Sequence, residues 1–348
     1  MQLPEIDTNG MIDFLVQLLN TPSPTGFTEG AIALCEKILT PIPGIALNHT
    51  HKGALVAALP GESDQEWRAM TAHVDTLGAM VKEIKSNGRL KMTRLGGFAW
   101  NTVEGDGVTV VTREGEAVRG SVLLNKASSH VHGQDVSKSE RNDDTMEVRL
   151  DVRTSSADET KDLGIQVGDF IIFDPRVEVN NGFIRSRHLD DKACVACMIF
   201  AVKALVEAGL TPKRTTILHI SNYEEVGHGA AAGIPVEVTE LISVDMAAVG
   251  DGQESDEFSA TLCVKDSGGP YHYGLSQRLR NLAEQFDIAH KVDIYPYYGS
   301  DGEAFWRAGG DVAVALIGPG VDASHNYERT HTEALVATTR WCLAYLLN

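Results

Sequence analysis

Hydrophobic and polar positions fall into two textures along the chain. Up to about residue 75, apolar positions recur at helical spacing or in short continuous runs, which predicts helices followed by strands. Asp7 or Thr8 can cap a helix reaching Asn20, and Thr28 a second reaching Leu39, with the breaker TPSPTGF between them. The runs at Ala54–Leu59 and Ala69–His73 read as strands. From Leu77 to Phe183 the pattern changes to short alternating segments (GAMVKEI, GVTVVT, GSVLLN, MEVRLDV, DFIIFDP) separated by Gly, Asn and Asp, with no amphipathic helix. That texture predicts a small all-β domain. Alternation of helix and strand resumes at Asp190 and runs to the end, through strands TTILHIS, ELISVDM, SATLCVK, KVDIYPYY and DVAVALIG and a last helix from THTEAL. The expected fold class is α/β: one discontinuous domain, residues 1–76 and 184–348, carrying a β insertion at 77–183.

Composition narrows the setting. A chain of 348 residues with 43% hydrophobic content can bury two cores. A formal charge of −18 disfavours nucleic acid and anionic membrane as partners, since both call for basic surface. The N-terminal stretch MQLPEIDTNGMIDFLVQLLN has no basic leader, and no window approaches the roughly 18 apolar residues of a membrane span, so a cytoplasmic location is expected. Five cysteines form an odd, sparse set that fits reduced thiols. Cys194 and Cys197 make a lone C-x-x-C, but they lie in ACVACMIFAVKALVEAGL, which reads as a buried helix and not as a metal or redox pair.

The chemistry concentrates at the ends of predicted strands. Glu224 and Glu225, in SNYEEVGHGA, follow TTILHIS directly. Two adjacent acids at a strand end repel each other and lose hydration unless something positive compensates them, and a metal ion is the simplest compensation. Ligand types of the right kind recur in His73 and Asp75 (MTAHVDTLG), Asp190 (SRHLDDKACVA), Asp245 (ISVDMAAV) and His325 (DASHNYERTH). In an open α/β sheet such strand ends converge on one crevice. The mixture of imidazole and carboxylate favours a transition metal over magnesium or calcium. In H-x-D along an extended chain, His73 and Asp75 point to the same side, so the carboxylate can hold the imidazole while its other nitrogen binds metal. Each motif alone has an ordinary reading, as a helix cap or an exposed strand end; the ordered set carries the inference.

That order, HVD, a β insertion, HLDDK, EEVG, VDM and SH-x-YE, resembles the family-42 metallopeptidases, dinuclear aminopeptidases that build tetrahedral (TET) particles. The similarity spans nearly the whole chain. It implies His73 and Asp245 on one metal, Glu225 and His325 on the other, and Asp190 bridging. It further implies Glu224 as general base and Asp75 as the group that orients His73. The fold implied is a three-layer α/β/α metallopeptidase domain with an inserted barrel-like dimerisation domain. The activity implied is removal of N-terminal residues from short peptides with two divalent transition-metal ions per subunit, zinc first, then cobalt or manganese. Homo-oligomers built from dimers, including dodecamers, are typical of the family. DDK stands where DDR is commoner, and no Arg-Tyr pair precedes the final His. SRHLDDKA, YYGSDGEAF and GVDASHNYERTH are similar to a bacterial branch associated with genes for the osmoprotectant N-acetylglutaminylglutamine amide. The alternatives are an amidohydrolase or deacylase acting on a blocked or unusual small peptide amide, and a non-catalytic scaffold stabilised by metal.

Other residues receive plainer readings. Asp301, in a Gly-Ser-Asp turn, is expected to cap the next helix in preference to aiming into the cleft. His130 and His132 alternate as on one strand face and read as solvated or subunit-contacting. His188 and His228 flank the acid pairs and are read as residues close to the site that do not ligate metal, and His331 opens the last helix. Gly268-Gly269-Pro270 lacks the P-loop lysine and the wider glycine spacing of a dinucleotide site, so no nucleotide is assigned.

Overall fold

The computed structural model describes residues 2–348. The chain forms two compact units, one from the N-terminus to Asp75 together with Arg176–Asn348, the other Thr76–Pro175. The larger unit thus resumes at Arg176, not at 184, because the strands Glu178–Asn180 and Phe183–Ser186 pair into its sheet.

Four parallel strands form the centre of that sheet, in the order Arg214–Ser221, Ser63–His73, Val238–Val244 and Ala313–Asp322. Antiparallel strands extend it on both sides, including Leu55–Leu59 beside Arg214–Ser221 and Ala260–Asp266 beside Ala313–Asp322. Side chains alternate across it. Met70, Ala72, Leu218, Ile220 and Ile242 face a core closed by the helices Thr8–Leu19, Glu29–Leu39, Leu189–Glu207 and Thr332–Leu346. Ala69, Ile217, Leu241, Val314 and Leu316 face the other side, where the helix Asp301–Arg307 contributes Phe305 and Trp306. Helices therefore cover both faces, heavily on one and lightly on the other.

Leu189–Glu207 is buried all round from Leu189 to Val202, as a helix apolar on every side must be. Cys194 and Cys197 are fully buried in it, and all five cysteines are free. Among the described residues no helix is long and apolar enough to cross a membrane.

The smaller unit is a closed six-stranded barrel: Gly78–Ile84, Leu90–Leu95, Met146–Leu150, Ala117–Leu124, Gly107–Val111 and Phe170–Phe173. Alternate residues such as Ala79, Val81, Val108, Val110 and Val122 fill its interior. Closure removes the open edges that a small sheet otherwise exposes. Its loops carry short helices that the sequence pattern did not show. His130 and His132 lie in one of these, Ser129–His132, and not on a strand; His130 is exposed and His132 half-buried.

Candidate metal centre

The parallel strands end at one level, and the register shows it: Ser221 pairs with His73, and Val244 with Ile317. His73 ends one strand, Glu224 and Glu225 follow the next, and Asp245 follows the third. Tyr223, just before the acid pair, adopts a left-handed backbone with φ of 66°, and Glu224–Val226 then form a single 3-10 turn. Asp190 enters from the start of Leu189–Glu207, where its own backbone and that of Asp191 are not yet helical. His325 sits in the loop after Ala313–Asp322, also left-handed with φ of 61°. Left-handed backbone at bulky residues is uncommon and gathers at functional sites.

Asp190 is the hub. One of its carboxylate oxygens lies 3.3 Å from Nε2 of His73, the other 3.4 Å from Nε2 of His325. Nε2 of His325 also lies 3.6 Å from the Glu225 carboxylate. Two donor groups result: His73, Asp190 and Asp245, and Asp190, Glu225 and His325, each with ligand atoms within 4.8 Å of one another. Two ligands about 2.1 Å from a tetrahedral ion stand about 3.4 Å apart, so the spacings around Asp190 suit a metal on either side of it. Glu224 belongs to neither group. It lines the same cavity, of about 390 Å³, together with Asp190, Glu225, Asp245 and His325.

Buried groups around the hub fix it. Asp75 is fully buried and accepts hydrogen bonds from the Thr25 hydroxyl at 2.7 Å and the backbone N–H groups of Glu224 and Glu225 at 3.1 and 3.3 Å. Its backbone carbonyl lies 2.9 Å from Nδ1 of His73 and its carboxylate 3.5 Å from the same atom. A carbonyl only accepts, so Nδ1 carries the proton and Nε2 turns to Asp190.

The charges explain why this cluster is chemically poised. Burial works against a charged His73, but the Asp190 and Asp75 hydrogen bonds outweigh it and raise its pKa well above the ordinary value. Burial likewise opposes the Asp190 carboxylate, and the two histidines reverse that and hold it below the usual range. Burial pushes Glu225 up to about 8, with Asp190 repelling it and His325 opposing the rise. Burial, reinforced by Asp190, takes Asp245 to about 7. Several acids compete here for too little positive charge, and divalent cations would relieve them.

Comparison with known proteins bears on the family and the fold. The sequence model of the M42 glutamyl aminopeptidase family matches residues 53–340. The chain is 46% identical over 336 residues to YhfE of Bacillus subtilis (strain 168), whose name marks it as a candidate aminopeptidase; the match covers 96% of each chain. The chain belongs to the M42 peptidase family. Membership makes it a peptidase, a hydrolase of peptide bonds. In three dimensions this M42 chain is similar to a TET aminopeptidase from a marine sediment archaeon, Thaumarchaeota archaeon SCGC AB-539-E09. The TM-score is 0.87 at 19% identity, covering 97% of this chain and 96% of that one. It is also similar to the TET1 peptidase of Pyrococcus horikoshii, with a TM-score of 0.84 at 22% identity, covering 97% and 99%. At these identities the two structures speak for the fold.

The seven residues singled out in the sequence, His73, Asp75, Asp190, Glu224, Glu225, Asp245 and His325, lie together at this one place in the M42 chain. Others at the site had no assigned role. Glu328 is fully buried; one oxygen accepts from the N–H of Asp190 and the other from that of His325, each at 3.1 Å. Asp191 accepts from the N–H of His73 at 3.2 Å. The signal for both was present, as the second acid of DD and the last letter of SH-x-YE. Asp301 departs from expectation: it does not cap its helix but accepts from the N–H of Ala230 and the Thr71 hydroxyl. His228 is exposed and stacks on Tyr223. His331 caps the last helix, accepting from the N–H of Glu333.

Proposed function

We propose that this chain is a di-metal aminopeptidase that removes N-terminal residues from short peptides. His73 and Asp245 would hold one ion, Glu225 and His325 the other, and Asp190 would bridge them, with Asp75 orienting His73. The observation that carries this reading is the placement of Asp190, with one oxygen facing each histidine. The mixed nitrogen and oxygen donor set favours zinc, with cobalt and manganese as substitutes. Ions held there would acidify a water and polarise the scissile carbonyl.

Glu224 is the general base in this reading. Burial, with repulsion from Asp245, Asp301 and Glu225, raises its pKa well above the ordinary carboxylate value against the pull of His73. A carboxylate so placed accepts the proton of the attacking water and returns it to the departing amine nitrogen, so the C–N bond breaks without expelling an amide anion. The surplus of carboxylates in the cavity suits a free, positively charged amino terminus, which supports exopeptidase action. Replacing Glu224 by Gln tests the assignment: kcat should fall by about 10²- to 10⁴-fold while the bound metal, measured by elemental analysis, stays. Retained turnover would refute the role.

The homo-oligomeric state belongs to the same proposal, with the barrel Thr76–Pro175 as the dimerisation element. It is supported by the fold shared with the horikoshii TET1 peptidase, which is described as able to assemble into a tetrahedron or a large octahedral shell. Five free, buried thiols support the cytoplasmic assignment.

A further inference from the structure

The segment bearing Glu224 and Glu225 is gripped by a buried carboxylate at each end. Upstream, Asp75 takes the N–H groups of Glu224 and Glu225. Downstream, one oxygen of Asp301 takes the N–H of Ala230 at 2.7 Å. The other oxygen of Asp301 accepts from the Thr71 hydroxyl at 3.2 Å, and that hydroxyl lies 3.0 Å from Nδ1 of His219. A hydroxyl has one proton, and the carboxylate can only accept, so Nδ1–H of His219 donates to Thr71, which donates to Asp301. Thr71 stands two residues before His73 on the same strand face. Asp301 therefore ties the strand that ends in His73 to the loop that carries Glu224 and Glu225.

Three further observations converge on this carboxylate. Asp301 is 2% exposed, yet neither oxygen is spent on its own helix. The loop backbone lies directly on it: a Cβ at Gly229 would stand 2.2 Å from Asp301 Oδ1 and 2.4 Å from Ser221 Oγ, a closeness only glycine permits. Lys52 reaches the same stretch, donating to the backbone carbonyls of His228 and, at 2.7 Å, Gly229. Burial disfavours its charge, and Asp301 and Asp75 sustain it. The loop is thus fixed through its N–H groups by two acids and through its carbonyls by one base.

We propose that Asp301 is a positioning residue which, through Thr71 and Ala230 and together with Lys52, fixes the segment Asn222–Ala230 and so aims Glu224 and Glu225 into the cavity. The catalytic consequence rests on the roles proposed above for those two glutamates; the clamp itself does not.

Hydrogen exchange and kinetics on the full, metal-loaded chain test this. Asp301→Ala should speed amide exchange in the peptide spanning 222–233 by at least about tenfold, with exchange in Leu189–Glu207 and in the barrel strands unchanged. It should lower kcat on an aminoacyl anilide by about 10- to 100-fold with little change in KM, the range seen when the partner of a site residue is lost. Asp301→Asn keeps an oxygen for the Ala230 N–H and should restore slow exchange and most of kcat. If Asp301→Ala does not fold, Thr71→Val should show the same two changes in smaller degree. Unchanged exchange at 222–233 in both Asp301→Ala and Thr71→Val overturns the clamp, even if Glu224→Gln is inactive. Fast exchange beside a fully active Glu224→Gln would leave the clamp standing and sink the catalytic reading instead.

Discussion

Glu303 lines the cavity a short way from the glutamate pair, buried to 5% exposure and paired with Arg307 at 2.6 Å. Burial and a shared hydrogen bond with Asp266 push its pKa up to about 7, against the pull of Arg307. Its folded pKa exceeds the ordinary value of 4.5, so the folded state binds the extra proton. That contribution to stability is fully present below about pH 4.5 and is lost as pH rises through about 7. Between about pH 5 and pH 8, Glu303→Gln should therefore lose less melting temperature than the parent protein, measured by scanning calorimetry. Parallel melting curves would show that the acid pair does not titrate there. At this scale the sequence displayed the acids and histidines that the fold brings together, because polar ligand-type side chains at the ends of apolar runs stand out from the pattern. It did not display what Glu328, Asp191 and Asp301 do. Each is a buried acid that accepts from at least one N–H far away in the chain, and only the tertiary structure brings that donor to it.

Among the elements, the strand Ala313–Asp322 shows how tightly the site is built. A Cβ at Gly318 would lie 1.7 Å from the backbone oxygen of Asp245. The strand passes hard against the chain just where it delivers a candidate ligand, and the N–H of Asp245 is held by the Ile317 carbonyl at 3.0 Å. Gly318→Ala should cost about 1–3 kcal/mol, read as a lower denaturation midpoint, and should weaken metal retention in a chelator competition. A variant as stable as the parent and equally hard to strip would show that the close approach is dispensable. The main strands and long helices were legible because each buries a face, and burial imposes a period on the sequence. Short elements were not. Ala46–His49 is largely exposed and pairs along one edge, and Glu328–His331 has four residues with only two buried. The left-handed turns at Tyr223 and His325 carry no glycine to announce them.

For the whole molecule, the change from helical to alternating texture near residue 77 marked the barrel well, because a closed sheet filled by alternate residues leaves that pattern directly. The far boundary was harder to see, since Glu178–Asn180 and Phe183–Ser186 look like more barrel strands but pair into the larger sheet. Partner strands are chosen by the fold and not by strand composition. The proposed assembly makes a simple prediction: light scattering should give an even multiple of the 37.6 kDa chain mass, and a stable monomer at micromolar concentration would contradict it. The most direct test of the account is hydrolysis of short peptides, offered in pairs with free and acetylated amino termini, by protein stripped of metal and then restored with zinc, cobalt or manganese. Cleavage only of free termini, and only after metal is restored, is the expected result. Cleavage of acetylated peptides alone, or undiminished cleavage by the stripped protein, would contradict the di-metal aminopeptidase.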